Sequence, residues 1–271
     1  MKLRTTDNPS ARAGAGMQDA RVIVQDEPAY PALLVCDHAS NFIPSELDRL
    51  GLSETQLATH IGWDIGAANV LNCLVDLLRL PAVAGAYSRL VVDCNRHLDD
   101  PSAFPEFSDG IAIPGNAGLT AGEREARAEQ IYWPYHHQVR DQLRALERYV
   151  IAPALIAVHT FTPAMNGRLR PWHIGVLWDK DDRIARPFMD ALSRADDVIV
   201  GDNEPYSGKH PADFTIDHHA EAEGLPHLAL EVRQDLVETR AGALEWSTRI
   251  AEVLTDILAD AALYTHRAGA L

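Results

Sequence analysis

Four apolar, strand-like runs constrain the fold of this chain more than any other feature, because each one ends on, or contains, residues that bind metals or move protons. Residues 33–36 run into Asp37 and His38. Residues 90–92 run into Asp93, Cys94, Asn95 and Arg96. Residues 154–158 run into His159. Residues 228–230 run into Glu231, with Arg233 two positions on. Parallel strands present their carboxyl ends along one edge of a sheet, and open α/β sheets bind ligands in the crevice outside that edge. Four such runs are therefore expected to gather two histidines, several acids and an arginine in one crevice.

Between the runs the spacing turns helical. Ser53 and Gln56 have capping-box spacing, which predicts a helix start near residue 53. Ala67, Val70, Leu71, Leu74, Val75 and Leu78 follow the i, i+3, i+4 pattern, so a helix is expected over residues 65–80, ended by Pro81. Thr120 and Glu123 form a second capping box, opening a helix expected to reach about residue 149 with a kink or break at Pro134. Further strands are expected at 174–178 and 198–200, with a helix over 183–195. A last amphipathic helix is expected over 241–264, through Leu244, Ile250, Val253, Leu254, Ile257 and Leu258. Strands alternating with helices predict an α/β fold whose mostly parallel sheet is covered by helices on both faces. Segments 101–119 and 203–217 are expected to be ordered loops over the crevice. Residues 1–28 are polar and are expected to be mostly a loose arm, leaving 29–271 as a single domain.

Composition excludes several classes. With 24 basic against 39 acidic residues the formal charge is −15, and no basic cluster exists to replace phosphate counterions, so nucleic acid is not expected as a partner. A small anion is compatible, because a local arginine acts within a Debye length of roughly 8 Å. Cys36, Cys73 and Cys94 are far apart and odd in number, which predicts reduced, buried thiols and a cytoplasmic location. No apolar stretch is long enough to span a membrane, and no secretory leader is read at the N-terminus. The serine-hydrolase elbow, the P-loop and the dinucleotide fingerprint are all absent.

His38 and His159, each at a strand end, are candidate zinc ligands, with structural hydrogen bonding as the alternative. A third ligand is sought in the segment carrying His60 and Asp64. These share a face if helical, but Asp64 equally fits the N-cap of the following helix. Arg96 beside Asn95 is a candidate carboxylate site, against an ordinary salt bridge, and Arg89 is a candidate second clamp. Glu231 is flanked by aliphatics. Burial would raise its pKa toward the range useful for proton transfer, unless it faces outward or pairs with Arg233. Of the adjacent pairs His136-His137 and His218-His219, one member at most is expected to reach any given site.

Eight motifs in order resemble the N-formylglutamate amidohydrolase family: LLVCDHASNFIP at 33–44, HIGWDIGA at 60–67, YSRLVVDCNR at 87–96, PYH at 134–136, VHTFTP at 158–163, RPWHIGVL at 170–177, DNEPYSG at 202–208 and LEVRQDL at 230–236. The resemblance implies a zinc-carboxypeptidase-like, mixed α/β sheet sandwiched by helices. It implies one zinc ion held by His38, His159 and an intervening residue. Relatives of the family use an H-x-x-E pair, but the matching positions here read His38-Ala39-Ser40-Asn41. The Trp63-Asp64 step stands where better-known members have Trp-His, which favours Asp64 as third ligand with His60 in reserve. By the same resemblance Asn95 and Arg96 hold a substrate carboxylate, Glu231 is the catalytic glutamate, Arg89 stabilises the oxyanion and Tyr206 contacts substrate, with a core-anchoring role as that tyrosine's alternative. The implied reaction is hydrolysis of a small anionic N-acyl amino acid, N-formyl-L-glutamate first. A deacylase or peptidase of other specificity, and a non-catalytic metal-containing binding protein, are the rival readings.

Overall fold

The computed structural model describes residues 19–209 and 213–267. One mixed sheet of seven strands organises them. In chain order these are β1 (Arg21–Ile23), β2 (Ala32–Cys36), β3 (Ala82–Ala84), β6 (Ala154–Phe161), β9 (Ile174–Leu177), β10 (Val200–Asp202) and β11 (His227–Arg233). Two small hairpins, β4 (Phe107–Ser108) with β5 (Ile111–Ala112) and β7 (Ala164–Met165) with β8 (Arg168–Leu169), lie outside it. The sheet order is β1-β3-β2-β6-β11-β9-β10. β3, β2, β6 and β11 are mutually parallel in that order, whereas β1 and β9 run antiparallel to their neighbours β3 and β11.

Helices cover both faces, as the alternation predicts. Side chains of β2, β6 and β11 alternate between two cores. Leu34, Ile156 and Leu230 pack with α2 (Ala67–Leu78), α5 (Ala185–Leu192) and α8 (Arg240–Leu258). Leu33, Leu155 and Ala229 pack with the helical segment that includes α4 (Trp133–Leu146). The same period of two places Asp37, His159 and Glu231 at the strand ends on the second of these faces, and Glu231 is in register with His159.

Local signals are realised closely. All six apolar positions expected in α2 are buried. Both capping boxes form, Ser53 opening α1 (Glu54–Leu57) and Thr120 opening α3 (Ala121–Arg127). The helix begun at Thr120 continues through a π-helical turn over Ala128–Tyr132 into α4, and that widened turn directly precedes Pro134, which lacks an N–H to offer. Short segments α6 (Phe214–Ile216) and α7 (Gln234–Val237) flank β11.

Several expectations are corrected. Residues 90–92 form a buried turn and no strand. Their carbonyls find partners in side chains, Asn116 Nδ2 donating to Leu90 at 2.8 Å and Arg127 Nη1 to Val91 at 3.0 Å, so burial needs no ladder here. The strand before this turn is β3. The strand expected at 198–200 lies at Val200–Asp202. The final helix ends at Leu258, whose carbonyl accepts from the Tyr264 hydroxyl at 2.6 Å, and Leu244 is exposed on it. Arg21–Ile23 pairs with β3 and so departs from the loose arm expected over 1–28, while residues 1–18 lie outside the described residues. Cys36 and Cys94 are buried, but Cys73 is only half-buried.

Candidate metal centre and active-site cleft

His38 stands two residues past the end of β2, Asp64 lies in the turn before α2, and His159 sits within β6. Their ligand-capable atoms all lie within 4.8 Å of one another, and all three residues are buried. Asp64, and not His60, is the third member of this group. It does not cap α2: the N-cap is Gly66 at φ +86°, where a Cβ would meet the Val237 carbonyl oxygen at 2.6 Å. Freed from capping, the Asp64 Oδ2 atom approaches His159 Nδ1 at 3.0 Å and His38 Nδ1 at 3.4 Å. Zinc–ligand bonds of about 2.0–2.1 Å at tetrahedral angles separate neighbouring ligand atoms by roughly 3.3 Å, so this donor set fits such an ion. His60 is absent from the cluster. It lies further along the cleft wall, 3.3 Å from Asp109.

Each histidine turns its other nitrogen to a second carboxylate. His38 Nε2 meets Asp93 Oδ1 at 2.7 Å, and His159 Nε2 lies 3.2 Å from Asp37 Oδ2. Both acids are themselves held, Asp93 by Arg89 Nη2 at 2.6 Å and Asp37 by the Thr215 hydroxyl. For His38 this is the carboxylate–histidine hydrogen bond that fixes a metal-ligating imidazole and its tautomer, while Asp37 stands at ion-pair distance from His159 without hydrogen-bond geometry. Neither acid carries a predicted role in the sequence; Asp37, closing the apolar run just before His38, offers the one available signal. Burial works to raise the carboxyl pKa of Asp64, but the two histidines beside it hold it far below the usual range. For Asp93 burial is likewise outweighed, chiefly by Arg89.

Glu231 is buried, and its Oε2 atom has no hydrogen-bond partner among the described residues. Burial pushes its carboxyl up to about 8, against the attraction of His159. It neither faces outward nor pairs with Arg233, which binds Asp235 at 2.8 Å. Gly175 across the β11–β9 pair leaves no room for a side chain, since a Cβ there would lie 2.1 Å from the Glu204 carbonyl oxygen and 3.3 Å from Glu231 Cβ.

His38, Asp64, Asp93, His159 and Glu231 line a cleft of about 610 Å³ with Arg89, Asn95, Arg96, Tyr206 and Asp213. Both expected loops contribute to it, the first through Phe107 and Asp109, the second through Tyr206 and Asp213. Arg89 reaches across the centre, its Nη1 being 3.4 Å from His38 Nδ1 and 3.7 Å from Asp64 Oδ1. The Asn95 amide is engaged within the wall, donating to Asp213 Oδ1 at 2.8 Å and accepting from the Thr215 N–H at 3.0 Å. Arg96 stands 3.9 Å from Asp213. Tyr206 is 41% exposed at the rim, which removes the core-anchoring alternative. His136 and His219 do not enter the cleft. They bond each other at 3.0 Å in the layer beneath it, so one member of each adjacent pair turns inward.

An α/β sheet that brings two buried histidines, an aspartate and a buried glutamate of raised pKa to one cleft has the makings of a metal-dependent hydrolase. Comparison with known proteins narrows the class. The family model for N-formylglutamate amidohydrolase matches residues 30–238. The crystal structure of gene product Atu2144 from Agrobacterium tumefaciens is similar over 89% of this chain and 95% of its own, at 32% identity and a TM-score of 0.84. The N-formylglutamate amidohydrolase from Ralstonia eutropha shares the fold over 89% of this chain and 97% of its own, at 17% identity and a TM-score of 0.59. No curated protein matches. The chain belongs to the N-formylglutamate amidohydrolase family and is a metal-dependent amidohydrolase. Among the described residues no helix is long and apolar enough to cross a membrane.

Proposed function

We propose that this amidohydrolase uses one zinc ion to hydrolyse a small anionic N-acyl amino acid, with N-formyl-L-glutamate, giving formate and glutamate, as the first substrate to test. The observation that carries the reading is the convergence of His38 Nδ1, His159 Nδ1 and Asp64 Oδ2 beside a strand position that puts Glu231 in register with His159. His38, Asp64 and His159 would hold the ion. Zinc bound there supplies a Lewis acid that polarises an acyl carbonyl and acidifies water.

Glu231, with a pKa raised by burial into the range where acid and base forms are both accessible, takes the proton from the attacking water and returns it to the leaving nitrogen. Arg89, kept in place by Asp93, faces the same centre and stabilises the negative charge that develops on the acyl oxygen. Arg96 meets a substrate carboxylate, with Asn95 acting through Asp213 to shape that wall. Tyr206 contacts substrate from the rim. Residues 29–271 act as one catalytic domain in this reading, of the zinc-carboxypeptidase-like kind that the motifs imply.

The test is to titrate zinc into metal-stripped protein and assay formate release from N-formyl-L-glutamate, with His159→Ala as control. Metal-dependent release that the variant loses is the expected result. Stoichiometric zinc binding without release discards the named substrate, and failure to bind zinc removes the mechanism.

A further inference from the structure

Three arginines stand in or beside the cleft, and they differ in how their charge is met. Arg89 is held against Asp93 at 2.6 Å, and Arg96 lies 3.9 Å from Asp213. Arg170, between β8 and β9, has no acidic partner within ion-pair distance among the described residues. Neutral groups hold it instead. Its Nη1 donates to Thr162 Oγ1 at 3.2 Å and to the Tyr206 hydroxyl at 3.1 Å, and its Nη2 lies 3.0 Å from Met165 Sδ. The guanidinium carbon sits 4.9 Å from the centre of the Tyr206 ring and 5.9 Å from that of Phe161. All four of these neighbours line the cleft, and Arg170, half-buried, stands against them just outside that lining.

Such an environment fixes the guanidinium without neutralising it. In a chain with 39 acidic against 24 basic residues an acid is readily supplied, and none of the described residues supplies one here. Thioether sulfur is a weak acceptor, so the Nη2 edge is easily given over to a better one. The Tyr206 oxygen accepts from Arg170, which leaves its own O–H proton to donate elsewhere. A planar guanidinium edge beside a phenolic donor matches the two oxygens of a carboxylate.

We infer that Arg170, with the Tyr206 hydroxyl, binds a second carboxylate of the substrate, so that the enzyme selects N-acyl amino acids with an acidic side chain over their neutral counterparts. The inference rests on the proposed function, with Arg96 taking the other carboxylate. A cleft of about 610 Å³ has space for both groups.

The experiment compares kcat/KM for formate release from N-formyl-L-glutamate and N-formyl-L-glutamine, and measures calorimetric binding of glutarate with butyrate as the single-charge control. The wild-type enzyme, Arg170→Gln, Arg170→Lys and Tyr206→Phe are used, all in the zinc-loaded state. Arg170→Gln should reduce the glutamate-over-glutamine preference and the affinity for glutarate by roughly 10–100-fold, the worth of one charge-assisted contact. Arg170→Lys should recover part of both, and Tyr206→Phe should lower both less steeply. A purely structural role would weaken both substrates alike and leave the ratio intact. An unchanged ratio in an enzyme that releases formate overturns the inference and spares the proposed function. Absence of formate release with Arg170-dependent glutarate binding discards the reaction and keeps the anion site. Glutarate binding that is absent, or is indifferent to Arg170 and Tyr206, sinks the site. Should Arg170→Gln fail to fold, Tyr206→Phe alone decides through the same ratio.

Discussion

Asp37 directly precedes His38 in the chain, yet its carboxylate serves His159, 3.2 Å away on the neighbouring strand, while His38 turns to Asp93 at 2.7 Å. The pleat accounts for the exchange. Asp37 is in phase with Leu33 and Val35, the side chains of β2 that face the same layer as Leu155 and Ala157 of β6, so it projects toward the end of that neighbouring strand. Two acid–imidazole pairs thus brace the centre from different directions.

If Asp93 orients His38, removing its charge should weaken metal binding before it affects the fold. Asp93→Asn is expected to lower zinc affinity about 10–100-fold. Chelator competition measures this, with circular dichroism to verify the fold.

Glu231→Gln should retain stoichiometric zinc and lose kcat by about 10²–10⁴-fold, the usual worth of a positioned proton-transfer group. Metal analysis and a formate assay on one preparation separate the two effects. Turnover at the wild-type rate would remove Glu231 from the reaction.

Arg96→Ala should act mainly on capture, raising KM for N-formyl-L-glutamate by more than it lowers kcat. Unchanged steady-state constants would place the first anion contact elsewhere in the cleft.

Close approach of two backbones supports the floor of the site. A Cβ on Gly85 would lie 2.1 Å from the Asp37 carbonyl oxygen, and main chain cannot swing aside as a flexible side chain can. Gly85→Ala is expected to destabilise the protein by about 1–3 kcal/mol, read from the urea midpoint.

Away from the cleft, Glu221 accepts from the Lys180 N–H at 3.0 Å and from Lys180 Nζ at 3.2 Å, and lies 3.5 Å from His227 Nε2. Burial works to raise its pKa, but these partners lower it to about 2 from an ordinary 4.5. A carboxyl lowered on folding contributes stability above its unfolded pKa and loses it as the pH falls through the folded value. Glu221→Gln should therefore cost about 1–2 kcal/mol at pH 7 after solvent screening, and the difference from wild type should vanish as the pH falls toward 2. Denaturant titrations across that range test the sign as well as the size.

Sequence carried the helices well because their signals are local. The six apolar positions of α2 and the two capping boxes depend on residues a turn apart. Residues 90–92 misled because an apolar run reports burial, and the side chains of Asn116 and Arg127 that satisfy it come from distant segments. The histidines and Glu231 were legible as polar residues closing apolar runs. Asp64 is open in the sequence between cap and ligand, and the left-handed Gly66 two residues on takes the cap. The approach of Asp37 to His159, and of Tyr206 to Arg170, joins segments that only the fold brings together, whereas Thr162 and Met165 reach Arg170 through the local β7–β8 hairpin.

The reversal of β9 has a consequence for how this scaffold diversifies. Phe161 ends β6 beside Arg233, and Ile174 begins β9 beside Val232, so the chain leaves and re-enters the sheet at the same edge. Between those points lies the β7–β8 hairpin, turned at Asn166 and Gly167, both at positive φ, followed by Arg170. Residues inserted or deleted at that tip need not shift any strand's register, and the parallel strands that carry His38, His159 and Glu231 stay as they are. The rim can be rewritten by evolution or by a protein engineer as an exchangeable cassette, while the reactive floor is inherited intact.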